Sequence, residues 1–209
     1  MQESHKRVQW VYESTDDKEL EDRYDQWAAD YDNDLAAEFA WNAPQNATAV
    51  FVKHVDKAAH VLDAGAGTGL VGECLAEAGY KDLVAMDLSQ GMLDEAKSKN
   101  VYNDFHQMAL GGRLDFATDE FDAVISVGVF TQGHAPANSF DELARITKPG
   151  GLIVFSLRTD VYESAGFNQQ QSGMEASGAW QLAEMTDEFQ PMAKGEPEVW
   201  HRIWAYRVN

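Results

Sequence analysis

The chain has 209 residues, 44% hydrophobic and 24% charged, which suits one globular α/β domain with a real core and not a disordered chain. Sixteen basic residues against 35 acidic ones leave a formal net charge of -19, a surface that repels a phosphate polymer on average, so nucleic acid is not expected as a partner. The single cysteine, Cys74, excludes an intramolecular disulfide and a multi-cysteine zinc site, and fits a reducing compartment.

Residues 1 to about 16 read as a polar lead-in with weak structural demand. The opening "MQESHKRVQW" lacks the apolar core of a signal peptide, and the longest near-apolar run, "FDAVISVGVF", is too short to span a membrane. The expectation is a cytoplasmic protein with no membrane partner, in which the sequon-like Asn46-Ala47-Thr48 means little. From Asp16 or Asp17 a helix is predicted, with Leu20, Tyr24, Trp27, Ala28 and Tyr31 at helical spacing and Asp16 or Thr15 as its cap. A short helix over Asp34 to Trp41 and a third from Pro44 to about Val55 follow, the latter with proline in its first turn.

The pattern then changes. "HVLDAG" reads as a buried strand, "GLVGECLAEAGY" as a helix closed near Gly79, "LVAMDL" as a second strand, and "QGMLDEAKSKN" as a helix capped by Ser89. "DFHQMAL" and "FDAVISVGV" follow as the third and fourth strands. "NSFDELARITKPGG" is a helix ended by a Pro149-Gly150-Gly151 turn, and "LIVFSL" is the fifth strand. Short apolar runs alternating with helices predict a doubly wound, mostly parallel sheet. After a helix around residues 168 to 178, "WQLAEMTDEFQ" and "VWHRIWAYRV" read as an antiparallel pair.

"VLDAGAGTG" carries the first chemical signal. A strand, glycine loop and helix in series place backbone N–H groups and the positive end of a helix beside a ligand. A dinucleotide fingerprint needs glycine at the first, third and sixth positions; from Gly65 the third is Gly67 but the sixth is Leu70. A phosphate loop fails too, since no Gly-Lys-Ser/Thr follows. Asp87, ending the second strand, stands where an acid accepts hydrogen bonds from both ribose hydroxyls.

Taken together, "VLDAGAGTG", "MDLSQGMLDEA", "FDAVISVGVF" and "RITKPGG", in order over roughly residues 60 to 157, resemble the class I S-adenosylmethionine-dependent methyltransferases. Within these the chain is similar to small-molecule enzymes grouped with ubiquinone and menaquinone methyltransferases. The opener "YDQWAADYDNDLA", "VGVFTQGHAP" and the late "SGAW" resemble the methyltransferase-like proteins of the Williams-Beuren syndrome region and their bacterial relatives. The resemblance implies a Rossmann-like, doubly wound seven-stranded α/β sheet whose last strand is antiparallel. It implies a helical cap over the cofactor site at residues 1–56, and a core at 57–209.

It also implies roles. Asp63, Gly65, Ala66 and Gly67 would line the amino-acid end of S-adenosylmethionine, and Asp87 would hold its ribose. Leu88 and Met92 would flank the adenine, or be plain core. Ala109 and Leu110 sit where similar enzymes often have an acid at the adenine amine; with none here, that contact would come from backbone atoms. Val127, with Gly128, would lie under the reacting methyl group. Tyr24, Trp27 and Tyr31 would cover the cofactor as a lid, aromatic faces attracting the sulfonium, or would be ordinary core packing. His134 stands on the substrate side, as a general base or as a loop histidine without a chemical role. Arg158 would pair with a substrate carboxylate or with a surface acid. No histidine pair has metal-ligand spacing on a helix, so no metal is expected.

The expected reaction is in-line methyl transfer to a small-molecule acceptor, leaving S-adenosylhomocysteine and driven mainly by positioning, with general-base help optional. The alternatives are a cofactor-binding protein of the same fold without transfer, and an NAD-dependent oxidoreductase. No Asn/Asp-Pro-Pro-aromatic motif follows the fourth strand, and Cys74 lies inside a helix, which argues against DNA-base methylation.

Overall fold

The computed structural model describes residues 3–209, with side-chain surroundings from residue 6 onward. Met1 and Gln2 of the expected lead-in, and the side chain of His5, lie outside the described residues. The rest of that lead-in is not featureless. Glu3–Tyr12 form a helix, α1, that buries Val8 and Val11. Two apolar residues three apart give a narrow stripe, and tertiary packing makes the helix.

The predicted aromatic helix is α2, Asp17–Asp34. Asp16 caps it, accepting from the Glu19 amide at 2.9 Å, and Glu19 reaches back to the Thr15 amide. This is a reciprocal cap displaced by one residue from the usual box. The separate helix expected from Asp34 does not form. Leu35–Phe39 continue α2 directly as a π-helical turn, ended by Ala40 in the left-handed region. Leu35 and Phe39 are both buried, and the wider turn keeps both facing the N-terminal core. Next comes α3, Ala43–His54.

The strands are β1 (Val61–Ala64), β2 (Leu83–Asp87), β3 (Asp104–Gln107), β4 (Phe121–Phe130), β5 (Thr147–Arg158), β6 (Trp180–Met185) and β7 (His201–Val208). The helices between them are α4 (Leu70–Glu77), α5 (Gln90–Ser98), α6 (Ser139–Ile146), α7 (Thr159–Ser164) and α8 (Phe167–Ser177). One seven-stranded sheet results, in the order β3-β2-β1-β4-β5-β7-β6. All pairings are parallel except those of β7, which runs antiparallel to both β5 and β6. β3 stops at Gln107, three residues earlier than expected. β5 starts earlier than expected because the Pro-Gly-Gly segment is bulged into the strand: Phe121 pairs with Thr147, but Ala123 with Leu152.

The sheet is buried on both faces. One side carries Ala47, Phe51, Val71, Leu75 and Leu93 from α3, α4 and α5; the other carries Phe140, Leu143, Phe167 and Met174 from α6 and α8. Truncating a fully buried aromatic such as Phe140 costs roughly 3–5 kcal/mol in such a core. A third cluster joins α1, α2, the π-turn and Met192 above the strand ends. The strand order reverses between β1 and β4, so a crevice opens at their carboxyl ends, where ligands bind in open α/β sheets. The third cluster roofs that crevice.

Candidate active site

The loop between β1 and α4 is built to spend its own amides. The Gly65 and Ala66 N–H groups donate to the Met86 carbonyl at 2.7 and 2.9 Å, and the Gly67 N–H donates to Asp87 Oδ2 at 2.7 Å. At the α4 N-terminus the Gly72 N–H donates to the Tyr102 hydroxyl at 3.0 Å. That hydroxyl in turn donates to Asp63 Oδ2 at 2.5 Å. Side chains and a strand carbonyl thus take the Gly65, Ala66, Gly67 and Gly72 amides, which are not offered to a pyrophosphate. Gly72 is what lets Tyr102 approach, since a Cβ there would meet its ring at 2.3 Å.

Gly65 has φ +83°, and a Cβ on it would lie 2.2 Å from Val129 Cγ2. The loop therefore sits tight against the end of β4. There the register slips between Ser126 and Phe130, and the Gly128 N–H donates to Ser156 Oγ at 2.8 Å. The slip opens the floor of a cleft with about 730 Å³ of empty space, part of it continuous with solvent.

Eleven of the sequence-chosen residues line this cleft: Tyr24, Tyr31, Gly65, Gly67, Asp87, Leu88, Met92, Ala109, Leu110, Val127 and His134. Two acids line its wall, Asp17 at the start of α2 and Asp87 at the end of β2. The Gly67 and Ser89 amides hold one Asp87 carboxylate oxygen each, at 2.7 and 2.9 Å, and lone pairs remain for a ligand. Burial, the larger effect, pushes its pKa up despite these bonds. Ala109 and Leu110 lie beyond β3, in a loop tied back by the Met108 N–H donating to the Asp87 carbonyl at 3.0 Å.

Three chosen residues stand behind the cleft wall. Ala66 is buried in the sheet core. Trp27 is buried in the roof, its Nε1–H donating to Asp34 at 2.8 Å and its ring stacked on Tyr24. Asp63 is 1% exposed, and its Oδ1 has no hydrogen-bond partner. Burial raises the Asp63 carboxyl to about 7, against the pull of the Tyr102 hydrogen bond.

His134 is anchored at both ring nitrogens. The Gln132 carbonyl, 2.8 Å from Nδ1, can only accept, so Nδ1 carries the proton and Nε2 accepts from the Tyr24 hydroxyl at 2.7 Å. Burial lowers its pKa, which keeps the ring neutral. The nitrogen a general base would use is thus engaged by Tyr24, and the two side chains form one unit. Arg158 is not free for a substrate carboxylate: Asp160 grips it at 2.9 and 2.5 Å.

Sequence reasoning missed the clasps of the roof. Asp25 Oδ1 accepts from the Ser89 hydroxyl and the Gly91 amide at 2.5 and 2.8 Å, joining α2 to the start of α5. Asp32 accepts from Thr68 and, at 2.7 Å, from Lys99. Acids on the polar face of an amphipathic helix give no sign in sequence of which will find distant partners. Tyr102 and Met108, in the loops flanking β3, were missed because nothing in their local sequence marks their distant partners.

A Rossmann-like sheet in this order, with an acid ending β2 and a glycine loop that spurns phosphate, defines the class I methyltransferase architecture. Residues 62–155 match the model of the family described as "Methyltransferase domain". The chain belongs to the class I S-adenosylmethionine-dependent methyltransferases. It is 34% identical over 166 residues to human methyltransferase-like protein 27, covering 76% of this chain and 66% of that one. It is 43% identical over 98 residues to the demethylmenaquinone methyltransferase of Renibacterium salmoninarum, covering 45% and 39%. A shorter match, 40% over 72 residues, covers 34% of this chain and 25% of an 18S rRNA (guanine-N(7))-methyltransferase of Bos taurus. The chain thus spans less than two thirds of these relatives' lengths. In fold it is similar to a methyltransferase solved in complex with the Haloferax volcanii Trm112 methyltransferase activator, with a TM-score of 0.63, 20% identity, and coverage of 87% of this chain and 96% of that one. The exclusion of nucleic acid drawn from net charge therefore finds no support among the relatives. Among the described residues no helix is long and apolar enough to cross a membrane.

Proposed function

We propose that the chain binds S-adenosylmethionine in this cleft and catalyses methyl transfer to a small-molecule acceptor. The observation that carries the reading is the Asp87 carboxylate, presented to the cleft beside a glycine loop whose Gly65, Ala66, Gly67 and Gly69 amides are already satisfied. A dinucleotide needs donors for its phosphates; an adenosine with an amino-acid tail needs a ribose acceptor and a carboxylate for its ammonium. Asp87 fits the first need and the orphaned Asp63 Oδ1 the second, with an intervening water if required. Leu88, Met92 and Met108 offer an apolar slot for the adenine, and the backbone of Ala109 and Leu110 serves its amine. When bound, the cofactor supplies a methyl group on an electrophilic sulfonium.

The protein's task is then to exclude water and hold the acceptor in line. Such positioning supplies on the order of 7–11 kcal/mol of a barrier. Gly128 leaves the floor open, Tyr24 and Tyr31 close the roof, and their ring faces favour a cation. The helices before residue 57 serve as this cap. The acidic surface supports a small acceptor over a polyanion.

Calorimetric titration with S-adenosylhomocysteine tests the reading. Wild type should bind it, and Asp87→Asn should bind about 10- to 100-fold more weakly, the worth of hydrogen bonds to a charged acceptor. Equal affinity of the two proteins, or preference for NADH, would overturn it. Methyl label from a lysate appearing in RNA or protein alone would overturn the small acceptor.

A further inference from the structure

Behind Tyr24 and Tyr31 lies a second chamber, with about 460 Å³ of empty space partly open to solvent. It shares three wall residues with the first cleft, Tyr24, Tyr31 and Gly128, so the two meet above the slip in β4. Its remaining walls come from both ends of the chain. Tyr12 and Trp27 descend from the roof, Trp41 follows the π-turn, and Met192 and His201 come from the tail. The space between these rings is narrow, which suits a flat molecule and not a bulky one.

The lining is aromatic and uncharged. Arg158 lies over the Tyr12 ring at 5.4 Å but is neutralised by Asp160, and Asp34 is held by Arg7 and Trp27. Two polar side chains break the apolar surface. His201 is 3% exposed, stands edge-on to Trp41 at 6.1 Å, and its Nδ1 has no hydrogen-bond partner. Thr131 is 7% exposed, and its Oγ1 makes no hydrogen bond of good geometry, although Tyr12 is its neighbour. Burial drops the His201 pKa to about 3, so the ring stays neutral and can donate or accept. A buried polar atom left unpaired is costly, and a bound molecule that pairs it accounts for its presence.

We propose that this chamber is the acceptor subsite, and that its substrates are neutral, flat aromatic compounds bearing a reactive hydroxyl and a second oxygen substituent. The inference rests on the cofactor reading above. The rings lie among Tyr12, Trp27 and Trp41. The second oxygen meets Thr131 and His201, and the reactive hydroxyl faces Gly128 and Tyr24. In transfer, an oxygen lone pair bonds to the methyl carbon while the carbon–sulfur electron pair stays on sulfur. The hydroxyl proton passes to Tyr24 Oη as the Tyr24 proton passes to His134 Nε2, and then to solvent. The positive charge that leaves sulfur reappears on the imidazole, so the cleft's total charge is unchanged during the step.

The test uses the full chain saturated with S-adenosylhomocysteine and follows tryptophan fluorescence, since Trp27 and Trp41 line the chamber. The probes are 2,6-dihydroxynaphthalene, 2-naphthol and 6-hydroxy-2-naphthoic acid. The diol should bind about tenfold tighter than 2-naphthol, the worth of one added neutral hydrogen bond, and the acid at least tenfold more weakly than the diol. Near-isosteric Thr131→Val should narrow the gap between diol and naphthol without changing affinity for S-adenosylhomocysteine. With labelled methyl donor the diol should become labelled. Cofactor product that binds while the diol neither quenches nor takes label would overturn the chamber and leave the cofactor reading standing. A gap between diol and naphthol unchanged in Thr131→Val, or preference for the acid, would also overturn it. No binding of S-adenosylhomocysteine would overturn both.

Discussion

Asp63 is where a binding role and fold stability oppose each other. Its carboxyl is buried, shares one hydrogen bond with Tyr102, and titrates near 7 instead of 3.8, chiefly through burial and secondarily through the charge of Asp87. An acid whose pKa is raised on folding binds more protons in the native state than in the unfolded one between these two values. Its contribution to stability is therefore fully present below about pH 4 and is lost as pH rises through about 7. From 3.8 to about 7, at 1.36 kcal/mol for each pH unit, the loss is on the order of 4 kcal/mol, an upper figure that water entry would reduce. Asp63→Asn keeps the shape and an oxygen for the Tyr102 hydroxyl but carries no charge. In urea unfolding at a series of pH values, the variant should gain on wild type steadily from pH 4 to 7 and level off above. On the proposed role of the unpaired Asp63 oxygen toward the ligand's ammonium, the same variant should bind S-adenosylhomocysteine more weakly. A stability difference that does not change with pH, or wild type gaining as pH rises, would refute the buried, largely neutral carboxyl. Greater stability with poorer binding is the expected signature of a site residue held against its local interest.

Two further outcomes follow from the packing. Gly65→Ala adds a Cβ 2.2 Å from Val129 Cγ2 at φ +83°, so it should destabilise by roughly 2–5 kcal/mol, a left-handed penalty plus overpacking. Val129→Ala in the same chain removes the clashing methyl but not the φ cost. A double-mutant cycle by urea unfolding should recover about 1–3 kcal/mol, and additive effects would contradict the contact. Asp25→Ala removes the acceptor of the Ser89 hydroxyl and Gly91 amide that clasps α2 to α5. Stopped-flow release of S-adenosylhomocysteine should speed up several-fold, with about 1–2 kcal/mol lost in stability as for other helix-start acceptors; unchanged release would mean that α2 does not gate the cleft.

The strands and most helices were legible because their signals are local. The alternation of "HVLDAG", "LVAMDL" and "FDAVISVGV" with helical runs pointed to a parallel sheet, and the paired apolar runs of the tail to the antiparallel β6–β7 pair. Ser89 and Asp16 announced helix starts by type and place. That Gly65, Gly67 and Asp87 would share one cleft was legible for the same reason. Gly65, Gly67 and Asp87 follow one another through a single strand–helix–strand unit, and each is specified by backbone shape more than by distant partners. α1 was not legible, since Val8 and Val11 bury only within the cluster they form with α2, the π-turn and Met192. Nor was the fate of the loop amides, which the motif suggested were free for a ligand. Their partners, Met86, Asp87 and Tyr102, lie one or two elements away. The second chamber lies at the far end of this scale. Tyr12, Trp41, Thr131, Met192 and His201 come from five separate segments and meet only in the folded chain. A backbone-made cofactor site can be kept by a short motif, whereas a side-chain-made acceptor site is scattered along the chain. That is why the sequence points to a methyl donor, and why the proposed acceptor chemistry rests on the side chains gathered behind Tyr24 and Tyr31.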